Sequence, residues 1–371
     1  MSEDEFYGQL LKMSDYNLDT ADGWQAGAPN ADVPPLLAEE EGRLRLLGSD
    51  LRPVHDYGAV GPVDCPIAYD PVRGLAFRYV CASGYKRGDF SQLRAFSVDR
   101  GESYLLKELS LNQWGLWFLE WIDSKEREPG QLFGLLAIDR PAEDQIVIEH
   151  RLFSYKLGEA HLRLRPLSRD AYKPLALSRR RRELVFAGAE GIYLLSLRGE
   201  RKLTLPADAD AGTQGAFHGQ GAAFCPEGAA RVVIGGDGLH LWDLERNVLQ
   251  RLTRNGRHPV WSPNGKGIWY RESSADLHYY DFAEDVTRQV MGLPNQLHPE
   301  FWHARPVCLS NCGRYLATSL TEKVLRGVSQ KGSATGQRER VYRHNHRLLV
   351  LDLESKTYWS REGFANHLCW A

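Results

Sequence analysis

Four histidines and one basic stretch are the parts of this chain whose types and spacing bear most directly on chemistry. His218, His258, His298 and His367 each stand just ahead of a short apolar run, before Ala222, Val260, Val307 and Leu368 respectively. A neutral imidazole is a good ligand for a divalent cation such as manganese or zinc, provided that several rings converge on one point. These four are spread over the second half of the chain. They converge only in a fold that carries equivalent strand starts to one place.

The basic stretch, 322–346, holds Lys323, Arg326, Lys331, Arg338, Arg340 and Arg343, with Arg347 just beyond it. Glu322 and Glu339 offset these charges little, and Gly327, Gly332 and Gly336 interrupt them. Its polarity and length predict a long loop, and such loops are functional more often than short ones. A run of this kind suits an acidic protein partner, an acidic ligand or the acidic N-terminal segment of the same chain. It does not suit single-stranded nucleic acid, whose binders interleave aromatic rings for base stacking; here Tyr342 stands alone. The shorter run Arg179-Arg180-Arg181-Arg182 falls where a neighbouring repeat has a turn, and reads as a solvated hairpin tip.

Other catalytic signatures are absent. The chain has no GxSxG, no HExxH, no phosphate-binding Walker loop and no GxGxxG. Gly235-Gly236-Asp237-Gly238 reads as a turn between strands.

What must position these residues is a repeat. From Pro259 the chain runs through a short apolar strand, a Pro263-Asn264-Gly265 turn, a second strand at Ile268-Trp269-Tyr270, a third ending at Asp281 and a fourth at Arg288-Gln289-Val290. Proline presets φ for such a turn, and Asn and Gly tolerate its left-handed position. The same order recurs around Phe224–Leu252, around Leu175–Thr204 and from Val307 to Trp359, with looser copies toward the N-terminus. Four short strands per unit of roughly 35 to 60 residues is the grammar of a β-propeller. Radial stacking against two neighbours covers both faces of each unit, so the strands are apolar at most positions. Asp99, Asp139, Asp243, Asp281 and Asp352 were each expected to close a third strand by accepting amide hydrogen bonds in the next turn. The end of the chain, Leu368-Cys369-Trp370, reads as a first strand with nothing after it. The segments around 43–47 and 53–57 would complete that blade and clasp the ring.

Trp261-Ser262-Pro263-Asn264-Gly265-Lys266 resembles the Trp-Ser-Pro-Asp-Gly-Lys element of the TolB-type, WD40-like propeller repeat, with Asn264 in place of Asp. That resemblance implies a fold and is nearly silent on activity. The placement of His258 and His298 is similar to that in the oligogalacturonate lyases. It would imply a divalent metal in the central funnel, with Arg257, Arg305 or the basic stretch holding an acidic sugar.

The expectation is therefore an all-β chain: a single propeller of seven four-stranded blades over 42–371, closed by N- and C-terminal strands. An acidic tail or short helix over 1–41 would precede it. The favoured function is a non-catalytic, scaffold-like module holding a protein partner through one face and the basic stretch, with no cofactor. The alternative is a lyase-type enzyme acting with manganese or zinc, held by His218, His258, His298 and His367, on an acidic carbohydrate. A net charge of −2 gives no bulk attraction to nucleic acid or membrane. No apolar run reaches the roughly 18 residues of a membrane helix. The acidic start, Met1-Ser2-Glu3-Asp4-Glu5, lacks a secretory pattern, so the expected compartment is the cytoplasm. The six cysteines include no CxxC pair and read as buried free thiols.

Overall fold

A strand that is apolar on both faces must be covered on both sides. The computed structural model meets that demand with seven sheets packed face to face in a ring. It describes residues 18–60, 66–81, 91–110, 113–122, 130–142, 145–167, 171–178, 180–188, 191–205, 221–226, 228–293, 307–330 and 338–371. No helix occurs among them.

The chain first lays down two short strands, β1 (Asp19–Thr20) and β2 (Gln25–Ala26). It then enters β3 (Leu36–Glu40), β4 (Arg43–Leu47) and β5 (Pro53–Ala59). Blade 1 follows as β6 (Ala68–Asp70), β7 (Leu75–Cys81), β8 (Ser91–Ser97) and β9 (Ser103–Glu108). Blade 2 is β10 (Gln113–Ile122), β11 (Gln131–Ala142), β12 (Gln145–Lys156) and β13 (Arg163–Pro166). Blade 3 is β14 (Ala171–Ser178), β15 (Glu183–Gly188), β16 (Gly191–Ser196) and β17 (Arg201–Thr204). Blade 4 is β18 (Ala222–Phe224), β19 (Arg231–Gly235), β20 (Leu239–Asp243) and β21 (Val248–Arg251). Blade 5 is β22 (Arg257–Trp261), β23 (Gly267–Arg271), β24 (Asp276–Asp281) and β25 (Val286–Gly292). Blade 6 is β26 (Cys308–Leu309), β27 (Tyr315–Gln330), β28 (Arg338–Asp352) and β29 (Thr357–Glu362). Blade 7 is composite. The last strand, β30 (Leu368–Trp370), pairs with β3, and β4 and β5 complete the sheet. The chain is a seven-bladed β-propeller.

Each interface between neighbouring blades has its own apolar cluster, and together the clusters close the ring. Phe77 and Trp121 belong to the cluster between blades 1 and 2, Phe133 and Phe186 to that between 2 and 3, and Val185 and Trp242 to that between 3 and 4. Ile268 and Tyr270 pack toward blade 4, whereas Trp269 between them packs toward blade 6. Tyr315 and Ala317 likewise face blade 7, and Leu316 faces blade 5. The two-residue period of a strand thus serves two cores at once.

The turns obey the repeat chemistry. Ser262 Oγ accepts the Gly267 amide at 2.9 Å, Asn264 Oδ1 accepts the Lys266 amide at 3.1 Å, and Gly265 takes φ +62°. The amide oxygen of Asn264 thus caps this turn. In blade 6, Ser310 Oγ accepts the Tyr315 amide at 2.9 Å and Gly313 takes φ +74°. Asp243, Asp281 and Asp352 each accept two amides from the turn that follows them.

Three expectations need correction. Asp99 lies in the turn beyond β8, where Ser97 Oγ accepts the Arg100 amide instead, and Asp139 does not close a third strand. It sits inside β11, opposite Ile148, because the second and third strands of blade 2 run on as a long hairpin. The boundary near 41 is also displaced: Leu36–Glu40 is a strand of the ring itself. Its two carboxylates conceal it in the sequence, and both are buried against cations contributed by distant residues. Upstream of it, Leu18 packs into the cluster between blades 5 and 6, while β1 pairs with β25 and β2 runs parallel to β29. The earlier part of the acidic segment, with Phe6, Leu10, Leu11 and Tyr16, lies outside the described residues. The basic stretch, over its described residues, is strand and not loop.

The ring is stitched by indoles at equivalent positions. Trp261 Nε1 donates to the Ala223 carbonyl at 2.9 Å, from blade 5 to blade 4. Trp370 Nε1 donates to the Cys308 carbonyl at 3.0 Å, from blade 7 to blade 6. Replacing Trp370 by phenylalanine keeps most of the ring but strips the Cys308 carbonyl of this donor. The expected cost is about 1–3 kcal/mol, read as a lower urea midpoint. An unchanged midpoint would show that this bond does not hold the closure.

Candidate functional site

Among the described residues, the largest departure from a compact ring grows out of blade 6. Up to the pair Leu320↔Arg347, the β27–β28 ladder lies within the blade, and β29 pairs with β28 as far as Arg347↔Glu362. Beyond that point β27 and β28 continue together for nine more pairs, from Thr321↔His346 to Gln330↔Arg338. At about 3.3 Å per residue this arm is roughly 30 Å long. The stretch expected as a loop is thus two paired strands over its described length. Lys323 and Arg326 lie on β27, and Arg338, Arg340 and Arg343 on β28; Lys331 lies outside the described residues. A register shift between Leu325 and Gly327 marks a bulge part-way along. The sequence over 322–346 is polar and broken by glycines, with no run of apolar residues to mark either strand.

The root of the arm is held from three directions. The Thr321 amide donates to the Ser274 carbonyl of blade 5 at 2.8 Å, and Ser274 Oγ donates to the Thr321 carbonyl at 3.0 Å. Thr321 Oγ1 and His346 Nδ1 lie 3.1 Å apart across the ladder. The His346 ring packs on Phe364 at 4.8 Å, and the Gly363 amide donates to the His346 carbonyl.

Beneath the root sits a wholly buried arginine. Arg271 Nη1 donates to Thr318 Oγ1 at 2.8 Å and to the Ser319 carbonyl at 3.0 Å, while Nη2 donates to the Ser274 carbonyl at 2.5 Å. Burial pulls its guanidinium down to about 10, against the opposing field of Asp276. Asp276 is itself buried. It accepts the amides of Glu272 and Ser273 at 2.9 and 3.0 Å and the Ser273 hydroxyl at 2.5 Å, with His278 Nε2 at 3.6 Å. Burial alone would push this carboxyl up, but His278, Arg271 and Ser273 together hold it well below the usual carboxylate range. Ser319 Oγ continues the polar chain to the Ala365 carbonyl, and Asn366 reaches Glu39 of blade 7. These root residues carry no motif. Nothing in their own stretch of sequence marks them, because their partners lie on other strands.

Of the four histidines expected to converge, His218 and His298 lie outside the described residues. His258 is the second residue of β22 in blade 5, with φ +49°, and His367 precedes β30 in blade 7, where its carbonyl accepts the Glu39 amide at 3.0 Å. Blade 6 stands between those two blades. The thiols at 81, 225, 308, 312 and 369 are free, and burial pushes that of Cys308, on the innermost strand of blade 6, up to about 12. A thiol so protonated is no nucleophile near neutral pH. The arginine run divides its roles. Arg180 lies over Gly228 of blade 4, Arg181 pairs with Glu183 at 2.6 Å, and Arg182 opens onto the groove toward blade 2.

No protein-family model matches the chain, and no curated protein matches it in sequence. Among solved structures it is similar to TolB from Acinetobacter baumannii, at 10% identity and a TM-score of 0.43, over 93% of this chain and 68% of that one. It is also similar to a candidate 6-phosphogluconolactonase from Bacteroides uniformis, at 13% identity and a TM-score of 0.49, over 83% and 95%. The likeness is one of fold.

Proposed function

We propose that this protein is a non-catalytic binding propeller that holds an acidic segment of a protein partner on the face from which the β27–β28 arm projects. The observation that carries this reading is the arm itself: nine ladder pairs beyond the blade, bearing five of the six basic positions singled out in the sequence. A two-stranded arm offers unpaired backbone groups along its edges, and an extended peptide can add there as a further strand. Its excess of Lys and Arg selects an acidic strand and discourages pairing between two copies of the arm. The buried Arg271 network supports the reading from below, since it fixes the direction in which the arm leaves the ring.

The direct test uses a labelled polyglutamate peptide as probe, beside a variant in which Lys323, Arg338, Arg340 and Arg343 are all glutamate. The expected result is saturable binding to the parent protein that weakens steeply with salt. In the variant it falls at least tenfold with the unfolding midpoint unchanged, because the substituted positions lie beyond the ring. Equal binding by both proteins would remove the arm from any role in recognition.

A further inference from the structure

A second feature lies at the opposite end of the blades. The arm grows from a connection between second and third strands, whereas a cleft of about 520 Å³ opens between blades 2 and 3 beside first-to-second and third-to-fourth turns. Its wall carries Lys156 of β12, Arg163 and Arg165 of β13, Arg182 of the β14–β15 turn and Arg198 of the β16–β17 turn. Among the described residues, Glu200 is the one carboxylate in that wall. We infer that this cleft is a binding site for a small, multiply charged anion of the polyphosphate or phosphorylated-metabolite class.

The first argument is electrostatic. Surfaces ordinarily intersperse the two signs, and crowding five cations into one concavity costs stability through their mutual repulsion. The chain as a whole carries net −2, so the cleft does not simply reflect a basic protein. Of the further carboxylates close to the wall, Glu159 is taken by Arg163 at 2.7 Å, and Glu183 is already engaged elsewhere. It takes Arg181 at 2.6 Å and Lys202 at 2.7 Å, and these hold its carboxyl low against the opposing effect of burial. It is therefore committed to cations outside the cleft wall. A concave site with low-dielectric walls focuses the field of its charges on whatever enters.

The second argument is preorganisation. Arg165 Nη1 donates to the Leu197 carbonyl at 2.9 Å, which ties the outer strand of blade 2 to the turn of blade 3 across the cleft. Arg163 Nη2 is steadied by Glu159 at 2.7 Å. Ser196 Oγ accepts the Arg198 amide at 3.2 Å and the Glu200 amide at 3.3 Å, which sets the turn that presents the Arg198 side chain. Arg182 is held at φ +56°, a conformation that favours glycine. Cations fixed before the anion arrives lose less freedom on binding it. Phe133 and Leu152 form an apolar floor beneath them, so the charged groups project from a rigid base. The volume falls within the range of small-molecule sites.

The test is calorimetric titration of the full chain with tripolyphosphate, in buffer free of divalent metal. Three proteins are compared: the parent, the Arg182→Gly, Arg198→Gln variant, and the arm variant used above. Arg182→Gly relieves the left-handed φ, so the cleft variant is expected to fold at least as well as the parent. The expected result is one saturable site in the parent and in the arm variant, weakened at least tenfold in the cleft variant. Equal binding to parent and cleft variant, loss in the arm variant alone, or no saturable binding would each overturn the assignment. The polyglutamate result bears on the arm only, so the two readings fail separately. Comparing tripolyphosphate with a nucleoside triphosphate and with orthophosphate then tells inorganic from organic sources of the same charge.

Discussion

Replacing Asp276 by alanine is expected to cost about 3–5 kcal/mol of folding stability near neutral pH and to loosen the arm. The carboxylate caps its own turn with two amides and the Ser273 hydroxyl, and its charge offsets that of Arg271, which no solvent reaches. Alanine leaves those donors and the buried cation to be compensated by nothing of similar strength. The turn 272–275 carries Ser274, whose carbonyl accepts both Arg271 Nη2 and the Thr321 amide. Loss of the cap should therefore reach the arm root, and hydrogen exchange at the Thr321 amide is the local readout. A large drop in the urea midpoint with Thr321 still protected would show that the network serves stability but not the arm.

The same substitution has a pH signature. The folded carboxyl lies below its unfolded value, so the unfolded chain takes up the proton first as pH falls. The stabilisation is complete above the unfolded aspartate value of about 3.9. It is lost as pH drops below that and through the lower folded value. The difference in midpoint between parent and Asp276→Ala should be flat from neutral pH down to about 5 and shrink below about 4. A difference that grew on acidification would invert the sign and refute the assignment of Asp276 as a stabilising anion.

Replacing Glu39 by alanine is the second large effect, again about 3–5 kcal/mol. Glu39 and Arg78 are 2% and 0% exposed in their side chains and lie 2.5 Å apart across the seam between blades 7 and 1. Glu39 Oε1 also accepts Asn366 Nδ2 at 3.3 Å, just ahead of the last strand. One carboxylate thus links the N-terminal strand, the first complete blade and the C-terminal strand. Its neighbour Glu40 accepts from Arg45 at 3.2 Å and from Arg361. Taking away the anion keeps the desolvation cost of the guanidinium and removes this compensation. A double-mutant cycle with Arg78→Met separates pair energy from packing: the double variant should be less destabilised than the sum of the singles. Strict additivity would mean that the two residues act independently.

Much of the architecture is legible in the residues alone because its causes are local. Pro263-Asn264-Gly265, the Ser that caps the first turn of blades 3, 5 and 6 and the Asp that closes several third strands act within a few residues. A strand buried on both faces also announces itself by composition. The closing blade was anticipated from the unpaired look of Leu368-Cys369-Trp370. Its second strand was not, because Leu36–Glu40 ends in two carboxylates that a sequence reading assigns to solvent. From the residues alone the arm likewise reads as a loop, and the long hairpin of blade 2 hides the place of Asp139.

The repeat, the ring and its turn chemistry were therefore determined by the sequence, through short-range sterics and hydrogen bonding. Only the tertiary structure decided which charges are buried and which converge. Glu39 meets Arg78 and Asn366, Arg271 meets Thr318 and Ser319, and the cations of two blades meet at one cleft. A side chain's partner across a blade interface depends on how the sheets stack, and the free energy of a charge depends on that partner and on its exclusion from water. Neither quantity is a property of the residue's own neighbourhood in the chain.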